Sequence, residues 1–333
     1  MPEGVLVAIV VMIALAFDFT NGFHDTANSI AAAVSTHALS PSAAVTIAAV
    51  MNFIGAFTTL KVAATIGSGV ANPADVTLMM ILSALLGAIA WNLFTWRLGL
   101  PSSSSYALIG GLIGAVIVGL GFSQVSWNTV ITKMVIPLVV SPLIGFVGAY
   151  LLMLAVFWVF RKASPRPANK GFRFAQIFSS AFVAFAHGTN DAQKTMGVIS
   201  LALVSGGFLA AKPFTVPLWV VGSAGLAIGL GTYVGGWRII KTMGTKLYKI
   251  EPSQGFTAQT VAALVIQGAS HFGFPVSTTH VVTGSIMGAG STQRLSAVRW
   301  GVASNIVVGW VLTVPAAAAT AAVTYAVLSQ ISR

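Results

Sequence analysis

Two stretches of the chain place a carboxylate just after a glycine, inside a long apolar run. They are FTNGFHDTAN, from Phe19 to Asn28, and FAHGTNDAQK, from Phe185 to Lys194. Laid over each other they match Phe19 with Phe185, Gly22 with Gly188 and Asp25 with Asp191. A carboxylate in apolar surroundings is unfavourable unless something binds it. Two of them in one repeated frame suggest a site built from two related halves. As a helix, the first stretch puts Asp18, Asn21, Asp25 and Asn28 on one face. Carboxylates and amides are hard oxygen ligands, suited to a hard cation such as Na+. Gly22, mid-face, predicts a local unwinding that frees carbonyls as further ligands. In the second copy the face reads His187, Asn190, Asp191 and Lys194, and Lys194 is placed to neutralise Asp191 or a bound anion. The bland alternative for either stretch is a polar network between helices. Repetition favours a cation site at Asn21, Asp25, Asn28, Asn190 and Asp191. Asp18, His24, His187, Lys194 and His280 are candidates for coupling. A histidine there carries a proton or, neutral, donates to a carbonyl, and the sequence leaves both open.

A second pair of stretches offers chemistry of the opposite sign. LPSSSSYALIG, from Leu100 to Gly110, matches FPVSTTHVVTG, from Phe274 to Gly284. Each carries a hydroxyl cluster just after a proline: Ser102, Ser103, Ser104 and Ser105 in one, Ser277, Thr278 and Thr279 in the other. Proline is favoured in the first turn of a helix, and hydroxyls cap the free N–H groups there. Each cluster therefore predicts a helix N-terminus with open donors, which is an anion site. Two such ends facing one ligand suit a tetrahedral oxyanion. Serines packed between helices are the plainer reading of one cluster alone.

The elements that position these groups must sit in a membrane. Of 333 residues, 56% are hydrophobic and only 7% charged, with a mean hydropathy of +0.90. A soluble globular chain carries about 25% charged residues. The formal charge of +11 does not indicate nucleic acid as a partner. Of the 17 Lys and Arg, five lie in 161–173 and four in 238–249, both between apolar runs. That is the pattern of cytoplasmic loops. There is no cysteine, hence no disulfide or thiolate metal site. The N-terminal run holds Glu3 and no basic residue, and leads into Asp18 without a cleavage signal. It predicts a retained first span. Several apolar segments are too short to cross, or are broken by Gly and Pro, which predicts re-entrant or discontinuous helices.

The order of motif, hydroxyl cluster and a final helix running from Trp127 past Pro142 recurs with Trp300 and Pro315. The chain thus divides into a first repeat over 1–160, a basic cytoplasmic loop over 161–173 and a second repeat over 174–333. The second repeat starts from the basic loop and so enters from the cytoplasm. The first has no Lys or Arg before Lys61 and so enters from outside. The expected fold is an all-α, polytopic integral membrane protein with two inverted-topology repeats and about 10–12 membrane segments.

GFHDTAN, HGTNDAQK, LPSSSSYALIG and FPVSTTH, in that order, resemble the paired signatures of the inorganic phosphate transporter family, the sodium- or proton-coupled PiT carriers. The resemblance covers both halves. It implies import of inorganic phosphate across the cell (inner) membrane by a multi-pass protein, with two re-entrant hairpins and often a homodimer. It implicates Asp25, Asn28, Asn190 and Asp191 in cation coupling and places Ser104, Ser105, Thr278 and Thr279 around phosphate. Tyr106 stands where many relatives carry His. Asn52 and Gln259 stand where animal relatives carry Glu.

The residues alone support a cation-coupled anion carrier in contact with membrane lipid, with Na+ preferred over H+ and no cofactor beyond the coupling ion. A passive anion channel with paired half-helices is disfavoured by intramembrane carboxylates, which repel anions. A membrane enzyme acting on phosphate esters lacks a recognisable set of catalytic residues. The charge pattern makes a direct prediction. Single cysteines at Asn169 and Ser253 should react with an impermeant thiol reagent only from the cytoplasmic side, and one at Pro2 only from outside. Labelling of Pro2 and Asn169 from the same side would remove the inverted arrangement.

Overall fold

The structure is a computed structural model, and it describes residues 2–247 and 249–331. Helices account for the described chain, which has no strand among those residues. The first half holds α1 (Glu3–Ser35), α2 (Pro41–Gly55), the short α3 (Lys61–Gly69), α4 (Leu78–Leu98) and α5 (Ser104–Leu120). Then α6 (Trp127–Thr129) continues through a π-helical segment, Val130–Val135, into α7 (Ile136–Val159). The second half repeats that order with α8 (Pro165–Ser205), α9 (Leu218–Val234), α10 (Trp237–Lys241), α11 (Pro252–His271), α12 (Thr278–Ser291) and α13 (Trp300–Ile331).

Two features differ from the sequence-based expectation. Most of the segment read as a basic loop is helical, because Pro165 opens α8 with its φ already set for a first turn. Gly22 does not unwind its helix either, since α1 is continuous from Glu3 to Ser35. The glycine serves close approach instead. A Cβ at Gly22 would stand 2.3 Å from the Ile228 carbonyl oxygen of α9. Gly188 does the same in the second half, where a Cβ would meet the Asn52 carbonyl oxygen of α2 at 2.1 Å.

Helices α1 and α8 carry the matched motifs and run antiparallel. Thr36 bonds Gln176, Ser180 bonds the Ser29 carbonyl, Asp25 lies beside His187, and Val7 lies against Gly206. Equivalent elements of the two halves therefore point in opposite directions, as inverted repeats require. The halves also exchange partners. Helix α1 packs on α9, while α8 packs on α2. Gly110 and Gly114 of α5 abut Val314 and Ala318 of α13, and Gly284 and Gly288 of α12 abut Pro142 and Phe146 of α7. The halves are interlocked, and neither is a compact unit by itself.

Two hairpins, α4–α5 and α11–α12, turn in the same way. Gly99 (φ 67°) and Gly273 (φ 76°) take the left-handed conformation that ends each first helix. The chain then runs extended through Pro101 or Pro275 and starts the second helix at a capping hydroxyl. Ser103 accepts from the Tyr106 N–H at 3.3 Å and Ser277 from the His280 N–H at 3.2 Å. Both second helices start deep in the protein, with every residue from Ser104 to Val116 buried.

Among the described residues, four helices are long and apolar enough to cross a membrane (α1, α4, the α6–α7 run and α13), and α9 with α10 makes a fifth across a 59° bend. Leu143, Val147 and Leu151 of α7 and Val308, Val311 and Leu312 of α13 are exposed apolar side chains of the kind lipid covers. The polar stretches of α8 and α11 fail that test because they face protein. Two apolar clusters flank the centre. One gathers Val7, Val10, Ala14 and Phe17 with the C-terminal part of α8, the other Ala27 and Ile30 with Val183 and Ala186. The carboxylates lie between them.

Close approach at the glycines can be checked. Gly188→Ala is expected to cost about 1–3 kcal/mol through overpacking and to lower the thermal unfolding midpoint of purified protein. Gly171→Ala, on the same helix, where a Cβ meets nothing within 4 Å, should leave that midpoint unchanged or slightly raised.

Candidate functional site

The antiparallel crossing of α1 and α8 brings Asp25 and Asp191 together. His187 stands between them, its Nε2 3.2 Å from Asp191 and 3.9 Å from Asp25. Ligand atoms of all three lie within 4.8 Å of one another. The N-termini of α5 and α12 meet the same point. Ser104 donates to Asp25 at 3.4 Å, Thr279 to Asp25 at 3.4 Å, and Thr278 reaches both Asp25 (3.5 Å) and Asp191 (3.4 Å). Asn28 donates to the Thr278 and Thr279 hydroxyls at 3.3 and 3.0 Å. The first two amides of each helix have no acceptor within their own helix, while the third, of Tyr106 or His280, is capped by Ser103 or Ser277.

Lys194 lies one turn beyond Asp191 and is fully buried. Its ammonium is ion-paired with Asp191 and donates to Ser105 Oγ at 2.5 Å and to the Val276 carbonyl at 2.9 Å. It therefore ties α8 to both hairpins. With the histidines neutral, two carboxylates face one ammonium, and the centre is net negative before any ligand arrives.

The remaining candidates are placed as follows. His24 Nδ1 is 2.6 Å from Asp25, and its Nε2 is 3.2 Å from Thr95 and 3.5 Å from Ser102. Ser102 donates to Thr95 at 2.8 Å, so its hydroxyl supports His24 and turns from the centre. Ser103 and Ser277 cap their helices. Asn190 donates to Ser270 and to the Phe274 carbonyl and holds the α11–α12 turn, while its Oδ1 is buried with no hydrogen-bond partner among the described residues. His280 is stacked between Tyr106 and Trp310, with ring centroids 5.6 and 4.0 Å away. Asp18 lies beside Thr195 and Asn21, within electrostatic reach of Asp191 and His187.

Several supporting residues were given no role from the sequence. Asn52 Oδ1 is 2.8 Å from His187 Nδ1, and its amide donates to Thr232 at 2.7 Å. Thr95 fixes His24, and the Gln193 side chain accepts from the Val62 and Ala63 amides to cap α3. Asn52 and Thr95 lie in no repeated motif, and Gln193, though inside the second motif, matches Ala27 of the first, so matching could not have found their roles.

Opposed carboxylates, one lysine and the N-termini of two helices thus converge on one buried centre. A sequence model of the phosphate transporter family matches residues 21–321. The chain belongs to this family. A protein of Rhizobium meliloti (strain 1021) named "Probable low-affinity inorganic phosphate transporter" is 51% identical over 316 residues, covering 95% of this chain and 94% of that one. One of Bacillus subtilis (strain 168) with the same name is 45% identical over 329 residues, 98% of each. A solved structure titled "The sodium-dependent phosphate transporter" is similar at a TM-score of 0.91 and 27% identity, over 98% of this chain and 100% of that chain. The phosphate transporter family consists of carriers and not enzymes, and the chain is a membrane protein. Asp25, Asp191, both hydroxyl clusters and Lys194 all fall inside the matched span.

The ion pair at Lys194 gives a test. Removing one partner of a buried pair leaves the other charge uncompensated, at about 3–5 kcal/mol. Lys194→Met should therefore lower the unfolding midpoint strongly, and adding Asp191→Asn should restore most of it. Additive losses in the double variant would mean that the two groups do not support each other.

Proposed function

We propose that this phosphate transporter imports inorganic phosphate through the cell membrane as a multi-pass symporter, coupled to Na+ in preference to H+. One observation carries the reading: two carboxylates and two helix N-termini, one of each from each half, converge on one buried centre. The helix ends suit an oxyanion, but the carboxylates already occupy their donors and repel a second negative charge. Phosphate can enter only with cations that neutralise Asp25 and Asp191, and this requirement is a coupling mechanism.

The residues fit Na+. Asn28 Oδ1 and Asn190 Oδ1 are buried oxygens without hydrogen-bond partners among the described residues, close to the two carboxylates in sequence. Asp25, Asn28, Asn190 and Asp191 would hold the ion. The Ser104, Ser105, Thr278 and Thr279 hydroxyls, freed from the carboxylates, would turn with the helix amides and Lys194 to phosphate. The two halves would alternate access by rocking about this centre. The name of the structural neighbour supports Na+, and the oxygen-rich cluster supports it independently. The stacking of His280 between aromatic rings argues against a relay of protons through that residue.

Purified protein in proteoliposomes should accumulate labelled phosphate under an inward Na+ gradient. Accumulation driven only by a proton gradient would assign H+. Asp25→Asn and Asp191→Asn should each abolish Na+ stimulation. Ser105→Ala and Thr279→Ala should each weaken phosphate binding about 10- to 150-fold at saturating cation, the range expected for a hydrogen bond to a charged partner. Wild-type phosphate affinity in one of these two alanine variants would show that its helix end does not share the anion.

A further inference from the structure

Asp18 is a charge that the phosphate centre does not use. It lies seven residues before Asp25 on α1, roughly 10 Å along the helix axis, so one ion cannot bridge the two. Its matched position in the second half is Ala184, and the feature belongs to one half alone. The side chain is fully buried, and both carboxylate oxygens lack a hydrogen-bond partner among the described residues. Thr195 of α8 and Asn21 stand against it, yet Thr195 Oγ1 and Asn21 Oδ1 are themselves buried without hydrogen-bond partners among those residues. Helix α4 runs parallel to α1. Asn92, three residues before Thr95, thus comes level with Asn21, three before His24, and both its amide atoms are unpartnered as well.

A buried carboxylate without a hydrogen-bond partner is not stable as a bare ion, and Asp191, His187 and Lys194 lie within electrostatic reach of it. Beside its two oxygens stand the Asn21 amide oxygen and the Thr195 hydroxyl, each without a hydrogen-bond partner among the described residues. This is the ligand set of a hard monovalent cation. An amide presents its oxygen after a half turn, so Asn21 and Asn92 can both serve. We propose that Asp18, Asn21 and Thr195 form a second Na+ site, separate from the phosphate centre, with Asn92 as a further oxygen donor from α4.

The site links α1 to α8 about two turns from the point where Asp25 meets Asp191. An ion there stiffens the crossing that aligns the two carboxylates. It makes no contact with phosphate, so it binds whether or not phosphate is present. The inference rests on Na+ as the coupling ion, and its test separates the two.

The experiment is equilibrium binding of radiolabelled Na+ to detergent-purified wild type, Asp18→Asn, Thr195→Val, Asp25→Asn and the double variant Asp18→Asn/Asp25→Asn, without phosphate. Each aspartate variant should lose one class of site and the double variant both. Thr195→Val should weaken the Asp18 class about 10-fold and leave the other unchanged, which serves if Asp18→Asn does not fold. Asp18→Asn and Thr195→Val that both bind Na+ as wild type does would overturn this site while leaving coupling at Asp25 intact. Loss of all binding in Asp25→Asn alone would also overturn it, and no binding by the wild type would overturn both readings.

Discussion

Everything in the structure depends on the charge balance between two buried carboxylates and one buried ammonium. Asp25 and Asp191 lie beside one histidine at the centre of a chain that is only 7% charged. Like charges at this distance in a poorly polarisable interior repel strongly, and Lys194 compensates one of them. The other is met by hydroxyl donors and by His24. With the histidines neutral, the centre keeps a net negative charge. Carboxylates beside helix N-termini look contradictory in a phosphate transporter, and the proposed coupling to a cation would reconcile the two groups.

The inverted halves supply the geometry. In two antiparallel copies of one helix, a residue near mid-length meets its own counterpart, which is why Asp25 and Asp191 converge while residues nearer the ends separate. The hairpins do the same for the hydroxyl clusters. Each hairpin packs on the last helix of the opposite half, and each leading helix packs on the second helix of the opposite half. Motion of one half against the other must therefore pass through tight glycine contacts, such as Gly22 on α9 and Gly188 on α2. The symmetry is broken where function differs. Lys194 stands where the first half has Asn28, Ala184 where it has Asp18, and His187 where it has Asn21. The second half brings a fixed positive charge, and the first brings more oxygen ligands.

Much of this was legible in the sequence. The apolar composition required a membrane, and the repeated motifs identified the carboxylates and the hydroxyl clusters that meet. Two stretches with the same pattern, flanked by opposite charge bias, carry enough information for an inverted duplication. Residue type also limited the chemistry, because carboxylates and amides offer hard oxygen ligands. The tertiary structure decided which members of each motif face the centre. Ser102, Ser103 and Ser277 share a composition with Ser104, Thr278 and Thr279, but a helix start uses one hydroxyl for its cap and turns the others by about 100° per residue. His280 became an aromatic contact because Trp310 arrives from another helix. Gly22 was read as a point of unwinding and is a point of contact, since a glycine without its neighbour in view serves either purpose. Asp18 and Thr195 are far apart in the chain and match no motif. Only the antiparallel crossing of α1 and α8 puts them side by side, because sequence periodicity reports which face a residue occupies and not what that face meets.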